Sequence, residues 1–323
     1  MKKTLFTAIA AITLLAGCAN ASTAQPTETA TTATDTATVY YIKEISPQSL
    51  VKIYKALGRE AHGRVGVKIS SGESSLTNHL DTALIGDLVK MVNGRYIESN
   101  TAYPGNRNSS ARHYQTAVDH GYIGIDIMDS IGQVELPVVN GFHLTKDIVG
   151  QRFLDYDFIV VLSHFKGHQM GGFGGALKNI SIGIASSDGK AYIHSAGKTE
   201  NVNSGNVFSA PQDDFLESMA DACQAITRHI GDNIVYINVA NNLSVDCDCN
   251  ATPAKAEMAD FGILASLDPV ALDRACVDMV FNSEDHGKVH LIERINSLHG
   301  THILEAAEKN GVGSQVYKLV VIE

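Results

Sequence analysis

Several common signatures are missing from this chain. It has no CxxC pair among its five cysteines, so the usual spacing of a structural zinc site is absent. It contains neither GxGxxG nor a Walker loop, so a common nucleotide is not indicated. Basic residues are the minority, 25 against 35 acidic ones, for a formal charge of −10. With no basic face evident, nucleic acid is not an expected partner. There is no tryptophan and no internal repeat. Only one apolar stretch, Leu5 to Leu15, comes near membrane-span composition, and it is too short for a mature transmembrane helix.

That stretch reads as targeting information. Lys2 and Lys3 precede it, and Leu15-Ala16-Gly17-Cys18 resembles a lipobox, where cleavage leaves Cys18 lipidated. Residues 1–17 are then a signal peptide, and their removal takes the formal charge from −10 to −12. Residues 18–38, rich in Thr and Ala, lack the apolar content to fold and read as a tether. The expected setting is extracytoplasmic, with the lipid anchor in the cell membrane or the outer membrane as partner. Residues 39–323 form the globular part. They are enough for one large core or two smaller ones, which leaves a division into two lobes open. The remaining cysteines, Cys223, Cys247, Cys249 and Cys276, allow three full pairings, among which spacing does not choose.

Strand-like and helix-like segments alternate along this part. Val39–Ile42, Arg64–Ser70, Tyr96–Asn100, Ile123–Met128, Val134–Val138, Phe158–Leu162, Lys190–Ile193, Asn233–Val239, Phe261–Ala265 and Lys318–Ile322 read as strands. Ser46-Pro47 and Asp268-Pro269 pair an N-cap with proline at the first helical position, and Gly94 reads as a helix stop. The alternation predicts an α/β fold: a mostly parallel sheet with helices on both faces. Ligands in such sheets bind at the carboxyl ends of strands.

The richest chemistry lies at one such end. Ser163–Asn179 follows the apolar run Phe158–Leu162 and carries His164, His168, Lys178 and Asn179 around Gly171, Gly172, Gly174 and Gly175. A histidine here could move protons while Lys178 holds a carboxylate or phosphate. The glycines could cradle an anion through backbone N–H groups, or simply form a tight turn. His164 and His168, four apart, would share a helical face as metal ligands, although the intervening Phe-Lys-Gly argues for a loop. His194 is the candidate third ligand. Cys247-x-Cys249 could chelate a soft metal, but a disulfide or free thiols fit an oxidising compartment better. Glu98, Asn100 and Arg107, at another strand end, could add a carboxylate, an amide and an anion clamp, with loop polarity and an N-cap as the plainer reading. Asp268 reads as a helix cap; Asp273 on the same helix could point into the site, with a solvated face as the plainer reading.

Val67–Ser70, Glu98–Tyr103, Ser163–His168, Gly172–Asn179, Asp246–Cys249 and Gly262–Asp273, in that order, resemble the domain of unknown function 362 family from about residue 40 onward. Many members are described as iron–sulfur proteins with a ferredoxin-like insert. The corresponding region here, about 197–214, has no cysteine, so a 4Fe-4S cluster is not expected. The spacing His168-x9-Lys178-x15-His194 is also similar to that of the nickel-dependent lactate racemase family. That resemblance implies His168 as acid/base, Lys178 as the attachment point of a pincer nucleotide and His194 as a nickel ligand.

Three functional readings therefore stand: an enzyme that binds a metal or small anionic ligand in a His/Lys/Gly-rich pocket, a non-catalytic ligand- or metal-binding lipoprotein, and a redox protein acting through Cys247 and Cys249. A transition metal is the candidate cofactor.

Overall fold

Phe158–His164 (β7), which is buried along its whole length, is the strand on which the sheet is centred. The computed structural model describes residues 36–76 and 78–323, and residues 36–323 make one compact unit rather than two lobes. The signal peptide, Cys18 and nearly all of the tether lie outside the described residues. Thr38, expected at the tether's end, already belongs to the first strand. No helix among the described residues is long and apolar enough to cross a membrane.

In chain order the first half contains β1 (Ala37–Ile42), α1 (Pro47–Ala56), β2 (Val65–Lys68), α2 (Thr82–Met91), β3 (Gly94–Glu98), α3 (Ser110–Asp119), β4 (Asp126–Ile127), β5 (Gln133–Pro137) and β6 (Lys146–Gly150), and then reaches β7. The second half contains β8 (Lys166–His168), β9 (Gly172–Gly174), α4 (Ala176–Ile184), α5 (Ser187–His194), α6 (Gln212–Ile230), β10 (Ile234–Ala240), β11 (Gly262–Ser266), α7 (Pro269–Asn282), α8 (Val289–Ser297), α9 (His302–Lys309) and β12 (Tyr317–Val321). Eight strands form the main sheet in the order β12-β1-β11-β10-β7-β2-β3-β4. Only β11 runs antiparallel to its neighbours. The mostly parallel expectation holds.

Period-two alternation divides the core between the two faces. On β7, Phe158, Val160 and Leu162 join Leu50, Ile53 and Leu88 of α1 and α2. Ile159 and Val161 join Leu177, Phe215, Met219 and Leu272 of α4, α6 and α7 on the other face. The chain leaves β2 through α2 to β3 on one side, and leaves β7 through α4–α6 to β10 on the other. The adjacent carboxyl ends of β2 and β7 are therefore a topological switch point, where such sheets open a crevice.

Local signals explain most elements, and a few expectations change. Ser46 caps α1 by accepting from the Ser49 N–H, and Asp268 caps α7 by accepting from Val270 and Ala271. The α2 stop is Asn93, in the left-handed region at φ 49°, while Gly94 opens the next strand. Residues 190–193 are helical, not a strand: Ser186 caps α5 and Asp188 sits in its first turn, where a carboxylate suits the helix dipole. Strand β6, not expected from the sequence, pairs with β5. Asp273 is not on a solvated face. It is fully buried and accepts from the Ala176 and Leu177 N–H groups at 2.8 and 2.9 Å and from Asn238 Nδ2 at 2.7 Å.

Asp273 thus closes the start of α4 on the helix that follows β11. Replacing it with alanine strands two helix N–H groups and an amide, so Asp273→Ala is expected to cost about 3 kcal/mol in urea unfolding. A loss below about 0.5 kcal/mol, the size of an ordinary surface substitution, would contradict this role.

Candidate functional site

At the switch point lies a cavity of about 310 Å³, within the range of small-ligand sites. Four basic side chains, Lys68, Arg107, Lys178 and Lys190, line it against one carboxylate, Glu98. His168 and His194 complete the polar wall, and Met170, Ile182 and Phe208 supply apolar surface.

Each lysine arrives by a different element. Lys68 ends β2 and is 1% exposed. Its Nζ donates to the Ile69 carbonyl and to Asn179 Oδ1 at 2.9 Å. Burial brings this amine down to about 7. Asn179, one turn into α4, donates to Ser163 Oγ and to the Lys68 carbonyl, which ties β2 to β7. It is thus a positioning residue for Lys68. Lys190 shares an α5 face with His194 and donates to the Ala185 carbonyl, and burial lowers it to about 8. Lys178 is different. Its amine has no hydrogen-bond or ion-pair partner among the described residues, and it lines both the cavity and a smaller void beside His164. Burial, with the charges of Lys166 and Arg107, lowers it to about 8.

The two histidines present opposite faces of the same chemistry. His168 Nδ1 accepts from the Gly171 and Met170 N–H groups at 2.8 and 3.2 Å, so Nδ1 holds the lone pair and Nε2 carries the hydrogen. His194 Nδ1 lies 2.7 Å from the Lys190 carbonyl, which can only accept, so His194 Nε2 is bare. Its ring stacks on Phe215 at 4.8 Å and meets Phe208 edge-on at 5.1 Å. Burial first, then neighbouring positive charge, holds His168 well below the usual histidine range, and burial takes His194 to about 4. Both are neutral at pH 7, one an N–H donor and the other a lone-pair acceptor.

Other expected residues take different duties. His164 does not line the cavity. Its ring nitrogens face Asp248 at 3.2 Å and the Asn241 carbonyl at 2.6 Å, which leaves it no lone pair for a substrate or metal. Asp248 also binds Lys166 Nζ at 2.8 Å. Burial pushes its carboxyl up, but the Lys166 and His164 charges outweigh that and hold it far below the carboxylate range. Arg107 is not a free anion clamp, since Glu73, Glu98 and the Tyr103 hydroxyl occupy its guanidinium at 2.8–3.0 Å. Glu98 also meets His113 Nε2 at 2.7 Å. Asn100 bonds Ser110 and lies outside the cavity lining. The plain loop-polarity reading fits Asn100, whereas Glu98 and Arg107 are buried at 5% and 3% exposure and form the cavity wall.

The glycines do not cradle an anion at the α4 N-terminus, because Asp273 already takes those N–H groups. A Cβ on Gly175 would sit 2.3 Å from Asp273 Oδ1, so glycine admits that carboxylate. Gly172, at φ +78°, packs on Gly300. Gly171 contributes the N–H that fixes the His168 tautomer. Gly174 and Gly175 border only the smaller void.

Two groups have the composition to hold a metal ion: His168 with Cys247 and Cys249, and His143 with Asp214 and Glu217. None of the second group lines the cavity. In the first group, Cys247 and Cys249 are disulfide-bonded to each other, and His168 directs an N–H at Cys249 Sγ, 3.9 Å away. A disulfide offers no thiolate, and this tautomer offers no Nε2 lone pair, so in this state the donors do not fit a metal. His194 Nε2 alone remains available as a nitrogen ligand. Cys223 and Cys276 are buried free thiols, so none of the full four-cysteine pairings is realised.

Lys68, Lys166, Lys190 and His113 were absent from the expected site. Lys68 was signalled by a lysine within the apolar strand VGVK. Lys166 alternates with His164 and His168, the period of an extended strand and not of the helix considered for the two histidines. Lys190 becomes visible once residues 187–194 are recognised as a helix, where it precedes His194 by one turn.

Two outcomes follow. Unfolded histidine titrates near 6.5, while the buried His194 holds off protonation until about 4 and His168 is likewise depressed. The unfolded chain binds more protons in that window. The histidine contribution is therefore complete above about 6.5 and falls toward pH 4, on the order of 1 kcal/mol per pH unit for each histidine. Burial raises Asp147 to about 8 and Asp273 to about 6, which acts in the opposite sense, so the check compares the unaltered chain with His194→Gln: the variant is expected to lose less of its urea midpoint between pH 7 and pH 5, and an identical pH dependence of the two contradicts it. Thiol titration of the denatured Thr36–Glu323 region is expected to give two thiols without reductant, Cys223 and Cys276, and Cys247 and Cys249 in addition after reduction. Reactive Cys247 and Cys249 before reduction would contradict the disulfide.

A Thermotoga maritima protein solved by a structural genomics consortium shares 14% identity at a TM-score of 0.42, covering 73% of this chain and 60% of that one. The lactate racemase apoprotein from Thermoanaerobacterium thermosaccharolyticum shares 13% at a TM-score of 0.41, covering 75% of this chain and 56% of that one. The chain thus spans less than two thirds of either. No curated protein matches it. The model of one family, described as a domain of unknown function (DUF362), matches residues 65–278. That match takes in the β2 strand, the histidine–lysine stretch, the disulfide and the Asp273 helix, and the chain belongs to this family.

Proposed function

We propose that the cavity binds a small carboxylate and moves a proton on it, making the protein an acid–base enzyme. The observation that carries this reading is the excess of basic groups over carboxylates in a buried cavity. Buried charge demands a partner, and an anion supplies one.

The free donors indicate how the anion is held. An ammonium has three N–H bonds. When protonated, Lys68 uses two of them and retains one, and Lys190 uses one and retains two. These remaining donors are the ones proposed to hold the carboxylate. His168 Nε2–H can then polarise a carbonyl or hydroxyl oxygen next to the carboxylate, as a neutral imidazole does when its charged form is suppressed. His194 Nε2 is placed to accept a proton. The apolar wall of Met170, Ile182 and Phe208 suits a small side chain. No step needs a metal, which agrees with the donor set described above. Cys18 is proposed to anchor this activity outside the cytoplasm, and Cys18→Ala should release the protein from the membrane fraction; retention there would remove the anchor from the proposal.

Calorimetric titration with 2-hydroxy and 2-oxo monocarboxylates tests the reading. A carboxylate is expected to bind while its neutral amide does not. Lys190→Met is expected to weaken binding about tenfold or more, the worth of one charge-assisted hydrogen bond. Equal binding of acid and amide, or no binding by any acid, would contradict the proposal.

A further inference from the structure

We propose that Lys178 is a covalent nucleophile that forms an imine with a 2-oxo acid bound in the cavity. This rests on the carboxylate site above and names its substrate class.

Four buried lysines of this region differ in what holds them. Lys68 is held by Ile69 and Asn179, Lys166 by Asp248, and Lys190 by the Ala185 carbonyl. Lys178 alone among them has no partner within the described residues, although it lines the same cavity. An amine kept only for its charge would be cheaper to bury beside a carboxylate. The helix carrying it is fixed at its start by Asp273, so the side chain is presented from a rigid base. Burial, and after it nearby positive charge, favours the neutral, nucleophilic form, the usual way a lysine is activated. With its amine at about 8, about one molecule in ten carries free base at pH 7, against fewer than about one in a thousand for an ordinary lysine.

The chemistry balances with groups already present. Lys68 and Lys190 hold the carboxylate, and His168 Nε2–H bonds the adjacent ketone oxygen. The neutral Lys178 amine adds to the carbonyl carbon: a C–N bond forms and the carbonyl π pair moves to oxygen. His194 Nε2 takes a proton from the new ammonium and returns it to the oxygen, giving a neutral carbinolamine. Its C–O bond then breaks, the hydroxyl leaves as water with a second proton from nitrogen, and the C=N bond closes. No oxidant or reductant is consumed.

Borohydride trapping decides the matter. The full chain is incubated with pyruvate and sodium cyanoborohydride, digested and read by peptide mass spectrometry. Labelling of Lys178 is expected at least tenfold above that of surface lysines such as Lys52 and Lys55. Lys178→Arg keeps the charge and is expected to bind pyruvate calorimetrically without being labelled at residue 178 or gaining label elsewhere. Pyruvate binding with no label on Lys178, or label spread evenly over surface lysines, would overturn the imine and leave the carboxylate site standing. Absence of binding would overturn both. If the arginine variant unfolds by circular dichroism, the labelling ratio in the unaltered chain remains decisive.

Discussion

A single buried carboxylate sets the geometry of the site. Asp273, reaching from α7, accepts three hydrogen bonds, two of them from the first turn of α4. A helix N-terminus after a glycine-rich turn is a ready anion site, and here the protein fills it with its own anion. The consequence runs along the helix. With α4 fixed, Asn179 reaches the ends of β2 and β7, Lys68 is drawn into place, and Lys178 projects into the space that remains. The ligand, in this account, is met by side chains and not by the helix terminus.

Electrostatics then shapes the cavity. Two nearby sets of buried charges are matched: Arg107 with Glu73 and Glu98, and Lys166 and His164 with Asp248. Arg107 and Glu98 form part of the cavity wall, and the Asp248 set borders the smaller void beside it. The lysines facing the cavity hydrogen-bond no carboxylate, and burial above all depresses their amines. Burial first, with neighbouring positive charge, keeps both histidines neutral, and backbone partners sort them into opposite tautomers. In the proposed reading, one local environment yields a donor, an acceptor and a nucleophile at neutral pH, the separation of roles that acid–base catalysis requires.

Much of this was legible in the residues. Strand and helix order follows from apolar periodicity and caps, and the rule that strand ends in α/β sheets hold ligands directs attention to the stretch beyond Phe158–Leu162. His168, Lys178, His194, Glu98 and Arg107 do converge. What stayed hidden was long-range pairing. Nothing near Asp273 in sequence points to α4, about a hundred residues earlier, and Arg107 reads as free because its carboxylates come from the loop after β2 and from the end of β3. The duties of Gly171 and Gly175 required knowing what approaches them: an imidazole in one case and a carboxylate in the other. The Cys247–Cys249 bond was left open because spacing alone does not distinguish a disulfide from thiolates.

The central claim is that two neutral histidines of opposite tautomer share one cavity. Long-range proton–nitrogen correlation spectra of the nitrogen-15-labelled protein at pH 7, assigned with His168→Gln and His194→Gln, test it directly. The account expects His168 protonated on Nε2 only and His194 on Nδ1 only. Imidazolium signals from either ring, or the same tautomer for both, would contradict it.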